Sequence, residues 1–257
     1  MKKQEKKDTS WENSAEWYDD YLGQSDTYQA KVILPNLIRL VALKKGETVL
    51  DIACGQGYFT KHFADSGAHT TGIDASTSLV EKARQHVPRA TFSVSDSTQL
   101  PSQSSTVDVA TCVLALQNIE HLAETFKEIR RVIRDNGRFI FVINHPAFRI
   151  PKHSDWEYSD EQKIQYRRIG RYLSQAKIKI EMHPGTNKLY TWSFHRSLQD
   201  FMKALHNAGF TVSQMEEWIS HKKSEAGPRS AEEDRARKEI PLFLAVEAVP
   251  IRSENRQ

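Results

Sequence analysis

The carboxylates and glycines near the start of the chain are placed to do chemistry. Asp51, Gly55 and Gly57 fall within "VLDIACGQGYFT", Asp74 ends "TGID", and Asp96 lies in "VSDSTQL". A buried strand that runs into a glycine turn sets a helix N-terminus beside the strand's carboxyl end. Backbone N–H groups are free there, and missing Cβ atoms let a ligand come close. A carboxylate ending the next strand can take both hydroxyls of a ribose. An acceptor ending the third strand can reach the exocyclic amine of an adenine. The spacing therefore predicts a nucleotide-like cofactor.

Two cofactors compete. A dinucleotide site uses G-x-G-x-x-G, whose third glycine lets helix and strand pack closely. Here Thr60 stands at that place. Asp51 adds a negative charge where a pyrophosphate would lie, while a cationic amino-acid end would gain from it. S-adenosylmethionine is the expected cofactor, and a nicotinamide-dependent oxidoreductase is the remote alternative.

These residues need a scaffold of alternating strands and helices. An aromatic helix is predicted over 11–22 and a second over 27–43, interrupted near Pro35. "ETVLDIA", "HTTGID", "ATFSVSD", "VDVATCVLAL" and "RFIFVIN" read as strands. The helices between them are "YFTKHFADSG", "STSLVEKARQHV" and "HLAETFKEIRRVI", the last ending at "DNG". Such alternation implies a parallel sheet covered on both faces. From about 145 to 195 the repeat breaks into an aromatic, basic segment. In it "KIKIEM" and "KLYTWSF" flank "HPGTN", a hairpin pattern. A helix ("SLQDFMKALHNAGF") and two strands ("TVSQMEEWI", "LFLAVEAV") follow, with a charged connector between the strands over 222–239.

With these motifs in place the chain resembles a class I S-adenosylmethionine-dependent methyltransferase of the small-molecule, type 11-like group. "VLDIACGQG" is similar to that family's first motif, with Ala53 in place of its first glycine. "TGIDAS" resembles the ribose motif, "VSDSTQLP" the adenine motif, and "VDVATCVLALQNIEH" the fourth-strand motif. The resemblance implies a Rossmann-like α/β fold: a seven-stranded, mostly parallel sheet with an antiparallel last strand, helices on both faces, and a cap insertion after the fifth strand. It implies that Asp51, Ala53, Gly55 and Gly57 line the methionine end of the cofactor. Asp74 and Ala75 would hold the ribose, Asp96 and Ser97 would flank the adenine, and Leu114 and Gln117 would edge the site. Tyr18, in "AEWYDD", would fold over it. The division expected is a tail and cofactor-covering helix (1–26), a cofactor-binding core (27–145), a cap with the acceptor pocket (146–195), a helix with the last two strands (196–250), and a tail (251–257).

Methyl transfer from a sulfonium is an in-line displacement, so alignment and exclusion of water carry much of the catalysis. A hydroxyl or ammonium acceptor also needs a base, and histidine suits that role. His145, at the end of the fifth strand, and His195 are the expected bases or acceptor-orienting groups. Asn118, Arg149, Tyr166 and Arg167 are the expected acceptor contacts. The acceptor atom (O, N or C) stays open. So do a quinone-ring C-methyltransferase, an RNA or other nucleic-acid methyltransferase using the basic face of the insertion, and a binding protein without turnover.

Composition narrows the classes. The formal net charge of +3 gives little support to a nucleic-acid partner. No apolar run approaches the roughly 20 residues of a membrane helix. The basic start "MKKQEKKDTS" has no apolar stretch after it, so a solvated tail is expected rather than a secretory leader. Cys54 and Cys112 fit neither a disulfide framework nor zinc spacing, and a cytoplasmic location is expected. No compact ligand cluster stands out, so no metal is expected. The oligomeric state is not readable.

Overall fold

The computed structural model describes residues 11–12, 15–181 and 190–251. Helix α1 (Ala15–Leu22) precedes a π-helical turn (Gln29–Ile33) that runs into α2 (Leu34–Val41). Pro35 sits in the first turn of α2, where a missing N–H costs nothing. The core then alternates: β1 (Thr48–Ile52), α3 (Tyr58–Asp65), β2 (His69–Asp74), α4 (Thr77–His86), β3 (Thr91–Val94), β4 (Val107–Val113), a 3₁₀ turn (Leu116–Asn118), α5 (Leu122–Val132) and β5 (Ile133–Asn144). Two hairpin ribbons follow, β6 (Ser154–Ser159) with β7 (Ile164–Ile169), and β8 (Ala176–Glu181) with β9 (Tyr190–His195). Then come α6 (Leu198–Asn207), β10 (Phe210–Trp218), α7 (Ser230–Glu239) and β11 (Phe243–Pro250).

Seven strands form one sheet in the order β10-β11-β5-β4-β1-β2-β3. β1 pairs in parallel with β2 and β4, while β11 runs antiparallel to both β5 and β10. This is the Rossmann-like α/β arrangement expected, with the antiparallel last strand in place. The order reverses at β1, so the carboxyl ends of β1 and β4 diverge into a crevice where α/β sheets hold ligands. Period-two alternation along β5 builds both core layers. Phe139, Phe141 and Ile143 face Phe126, Ile129 and Leu205 of α5 and α6, whereas Ile140 and Val142 face Leu37 and Phe63 of α2 and α3.

Two boundaries and one pairing differ from the sequence expectation. β4 stops at Val113, not Leu116, because Leu114 turns into the left-handed region with φ 54°. β5 begins at Ile133, directly after α5, and "DNG" is absorbed in an irregularity where pairing jumps from Val107↔Ile133 to Val109↔Arg138. A Cβ on Gly137 would lie 2.7 Å from the Asp108 carbonyl oxygen, so that close approach explains the glycine. The pairing of β6 with β7 carried no clear turn signal and was not expected. For the second ribbon the paired strands agree with the hairpin pattern, but its turn "HPGTN" lies outside the described residues.

One tight contact fixes the sheet where it meets the site. In β2, a Cβ added to Gly72 would stand 2.6 Å from the Phe92 ring and 2.9 Å from the Cys54 sulfur. Gly72→Ala must push both aside, and overpacking of this kind costs about 1–3 kcal/mol. Urea unfolding should show that loss; an unchanged midpoint would mean that β2 and β3 are more loosely packed than described.

Candidate cofactor and acceptor cavity

The turn after β1 is built on left-handed backbone. Ala53 has φ 55°, Gly55 φ 57° and Gly57 φ 85°. The αL conformation strains alanine, which is why glycine suits the Ala53 position and why alanine, the smallest residue with a Cβ, can replace it. Asp74 grips this turn. One carboxylate oxygen accepts the Gly55 N–H at 3.0 Å and the other accepts the Ser76 N–H at 2.9 Å. Ser76 caps α4 by accepting the Leu79 N–H. Burial pushes the Asp74 carboxyl above its ordinary range, and the backbone donors pull the other way.

A cavity of about 410 Å³ opens over this edge. Of the residues expected in the cofactor site, Ala53, Gly55, Asp74, Ala75, Asp96, Ser97 and Leu114 line it together, and Asn118 joins them. Asp96 closes a local turn, accepting the backbone N–H and the hydroxyl of Thr98 at 2.9 and 2.8 Å. Ser97 shares a hydrogen bond with Thr125 of α5.

Other expected residues lie elsewhere. Asp51 is buried under the turn, 2% exposed, with Thr60 and Thr111 hydroxyls donating to it at 2.6 and 2.8 Å. It does not line the cavity. Gly57 faces Val87, Ala83 and Phe92, so its lack of a Cβ serves helix packing rather than a ligand. Tyr18 is on α1, but its side chain lies outside the described residues. His145 is buried away from the cavity. Its Nδ1 accepts the Ala147 N–H, which leaves Nε2–H to donate to Glu217 at 2.7 Å. Burial holds its pKa below the usual histidine range, with Glu217 opposing. With both ring nitrogens engaged, His145 is not placed to act as a base on a ligand of this cavity. Tyr166 is exposed and bonds Gln162. Arg167 donates to the Phe148 carbonyl and Ser154 hydroxyl and stacks on Trp156. Neither reaches the cavity, and these contacts remove Arg167 from the basic face considered for RNA.

Gln117, Arg149 and His195 meet instead at a second, smaller cavity of about 30 Å³. Gln117 Nε2 donates to the Leu114 carbonyl, and its Oε1 is buried without a partner. His195 donates from Nε2 to the Tyr172 carbonyl at 2.8 Å.

The opposite wall was missed. Lys177 of β8 and Trp192 and Phe194 of β9 line the main cavity, with Trp11, Glu120 and His121. Pairing Lys177↔Phe194 and Lys179↔Trp192 puts these side chains on one face of the ribbon. The Lys177 ammonium lies 5.1 and 5.3 Å from the Trp192 and Phe194 ring centroids and 3.2 Å from the Glu120 carboxylate. Arg196 donates to the Ile119 and Glu120 carbonyls, tying the ribbon to the segment after β4. On the other side, Glu12 accepts from the Ser78 backbone and hydroxyl at the start of α4, which holds Trp11 at the cavity. The alternation of "KIKIE" and "YTWSFH" held the signal for the ribbon face.

Residues 50–141 match the family model described as a methyltransferase domain. A demethylmenaquinone methyltransferase of Paenarthrobacter aurescens is 26% identical over 154 residues, 58% of this chain and 60% of that one. A malonyl-[acyl-carrier protein] O-methyltransferase of Pectobacterium atrosepticum is 30% identical over 148 residues, 58% of this chain and 57% of that one. The chain spans about half the length of the curated relatives it matches. The crystal structure of an S-adenosylmethionine-dependent methyltransferase from Mesorhizobium loti superposes with a TM-score of 0.68 at 24% identity, covering 87% of this chain and 98% of that one. The matched residues include the glycine turn, Asp74, Asp96 and the β4 edge; the ribbon wall lies outside the matched range. Among the described residues no helix is long and apolar enough to cross a membrane, and no group of His, Cys, Asp and Glu could hold a metal.

The matched segment buries one carboxylate at a cost. Burial, with Asp74 adding repulsion, lifts the Asp51 pKa to about 6 against the donors Thr60 and Thr111. A carboxyl raised on folding binds protons more tightly in the native state. Stability therefore falls as pH rises from the unfolded value near 4 to about 6, then levels. The free-energy gap between the wild type and Asp51→Asn should shift by up to about 3 kcal/mol across that window, the variant gaining relative stability toward pH 7. Urea unfolding at pH 4 to 7 measures it, and a pH-independent gap would show that Asp51 titrates normally.

Proposed function

We propose that the chain transfers a methyl group from S-adenosylmethionine to a small-molecule acceptor. The observation that supports this best is the single cavity joining the glycine turn, Asp74 and Asp96 to an aromatic wall. The donor set fits the cofactor. The turn brings backbone close, and the Asp74 oxygens keep lone pairs for ribose hydroxyls beyond their two amide bonds. The Asp51 and Asp74 carboxylates favour a cationic ligand. When bound, S-adenosylmethionine supplies a methyl group already activated by the sulfonium charge.

The remaining work is positional. Leu114 and Asn118 border the β4 edge, and Trp192 and Phe194 offer flat apolar faces for an acceptor body. Excluding water behind those faces strengthens every polar contact within. His121 is the one imidazole on the wall among the described residues, and it lies at the start of α5. For an acceptor that loses a proton, we assign the base to His121 rather than His145 or His195, since both of those are turned to protein partners. Quinone-ring and carrier-bound acyl acceptors, named for the relatives, are the first to screen.

Calorimetric titration with S-adenosylhomocysteine tests the cofactor half. Folded wild type should bind it, and Asp74→Asn should weaken binding about tenfold or more, as expected for a lost charge-assisted hydrogen bond. Absence of binding by well-folded wild type would end the reading. Mass gain of one methyl on candidate acceptors tests the other half, with His121→Ala expected to slow turnover for hydroxyl acceptors.

A further inference from the structure

Behind Phe194 lies the small cavity, and the groups around it share one sign. Arg149 and Arg196 both border it, beside Asn144 and His195. Arg149 donates to the Asn144 side-chain oxygen at 2.8 Å and lies over the Phe243 ring. Arg196 spends its bonds on the Ile119 and Glu120 carbonyls. Among the described residues neither guanidinium has a carboxylate at ion-pair distance. Glu120 and Asp200 act on Arg196 only from further off, and Arg149 feels the like charge of Arg167. Burial pushes both guanidinium pKa values down. Two desolvated cations without a counterion are costly unless something anionic completes the site.

We propose that this small cavity is a subsite for the carboxylate of the methyl acceptor. The inference rests on the methyl-transfer reading and narrows its substrate to a carboxylate-bearing molecule. Its volume of about 30 Å³ leaves room for a small planar head group such as a carboxylate. Guanidinium groups present forked N–H donors that match two carboxylate oxygens. Connection to the reacting end is short. Phe194 borders both cavities, and Gln117 at the small one bonds the carbonyl of Leu114, which lines the large one. An acceptor lying along the Phe194 face can present its reactive atom at the β4 edge and its acid group to Arg149.

The test uses acetate as the probe and acetamide as its neutral match, on the full chain loaded with S-adenosylhomocysteine. Arginine Nε–H signals are followed by ¹⁵N NMR and assigned with Arg149→Gln and Arg196→Lys. Acetate should move the Arg149 and Arg196 signals to saturation in the millimolar range, while acetamide leaves them in place. Arg149→Gln should weaken acetate binding about tenfold or more while retaining S-adenosylhomocysteine affinity. The subsite is refuted if acetate moves neither signal, if acetamide moves them equally, or if exposed Arg168 responds as strongly. The wild-type titration stands even if a variant does not fold. Acetate failing while S-adenosylhomocysteine binds removes the subsite alone; the reverse removes the methyl-transfer reading and leaves an anion site.

Discussion

Asp74 holds two backbone amides with its two carboxylate oxygens, one from the turn after β1 and one from the start of α4. That pair of bonds locks the end of β2 to a turn that would otherwise be free to flex. The floor of the main cavity is the surface this lock creates. Asp51 lies beneath it, raised by burial first and by the Asp74 charge second, so the floor carries a stored electrostatic penalty. A cationic ligand relieves both carboxylates at once, which links binding to stability in the way any native-state ligand does.

Strain is concentrated along the same edge. Ala53 and Leu114, the residues that follow β1 and β4, both adopt left-handed backbone without being glycine. Each conformation costs on the order of 1 kcal/mol, and the surrounding sheet must hold it in place. Leu114 N–H bonds the Val142 carbonyl at 2.7 Å, so β5 helps to impose that bend. The result is a pair of strand ends turned sharply away from one another, with ligand-sized space between them.

How much was legible in the sequence follows from how far apart the cooperating residues lie. The glycine turn, Asp74 and Asp96 each sit at the end of a strand whose hydrophobic pattern is clear, so their convergence followed from the parallel-sheet topology. Asp51 and Gly57 belong to the same motif yet point into the protein, because motif membership fixes position along the chain and not side-chain direction. The aromatic wall of the cavity was harder. Whether Trp192 or Thr191 faces the cavity depends on the register of β8 against β9 and on Arg196 tying the ribbon to the segment after β4, contacts of long sequence separation. His145 misled because its place at a strand end suggested chemistry, while Glu217 and the Ala147 amide had already taken its nitrogens.

Among the described residues the β8–β9 ribbon pairs only with itself and stands outside the seven-stranded sheet. Its cavity-facing side chains can therefore be exchanged without disturbing a single ladder bond of the core. Such an arrangement uncouples two evolutionary pressures, since the cavity floor is frozen by folding while the wall that faces it is free to drift. A lineage carrying this architecture can reshape the cavity by rewriting a few positions on one appendage.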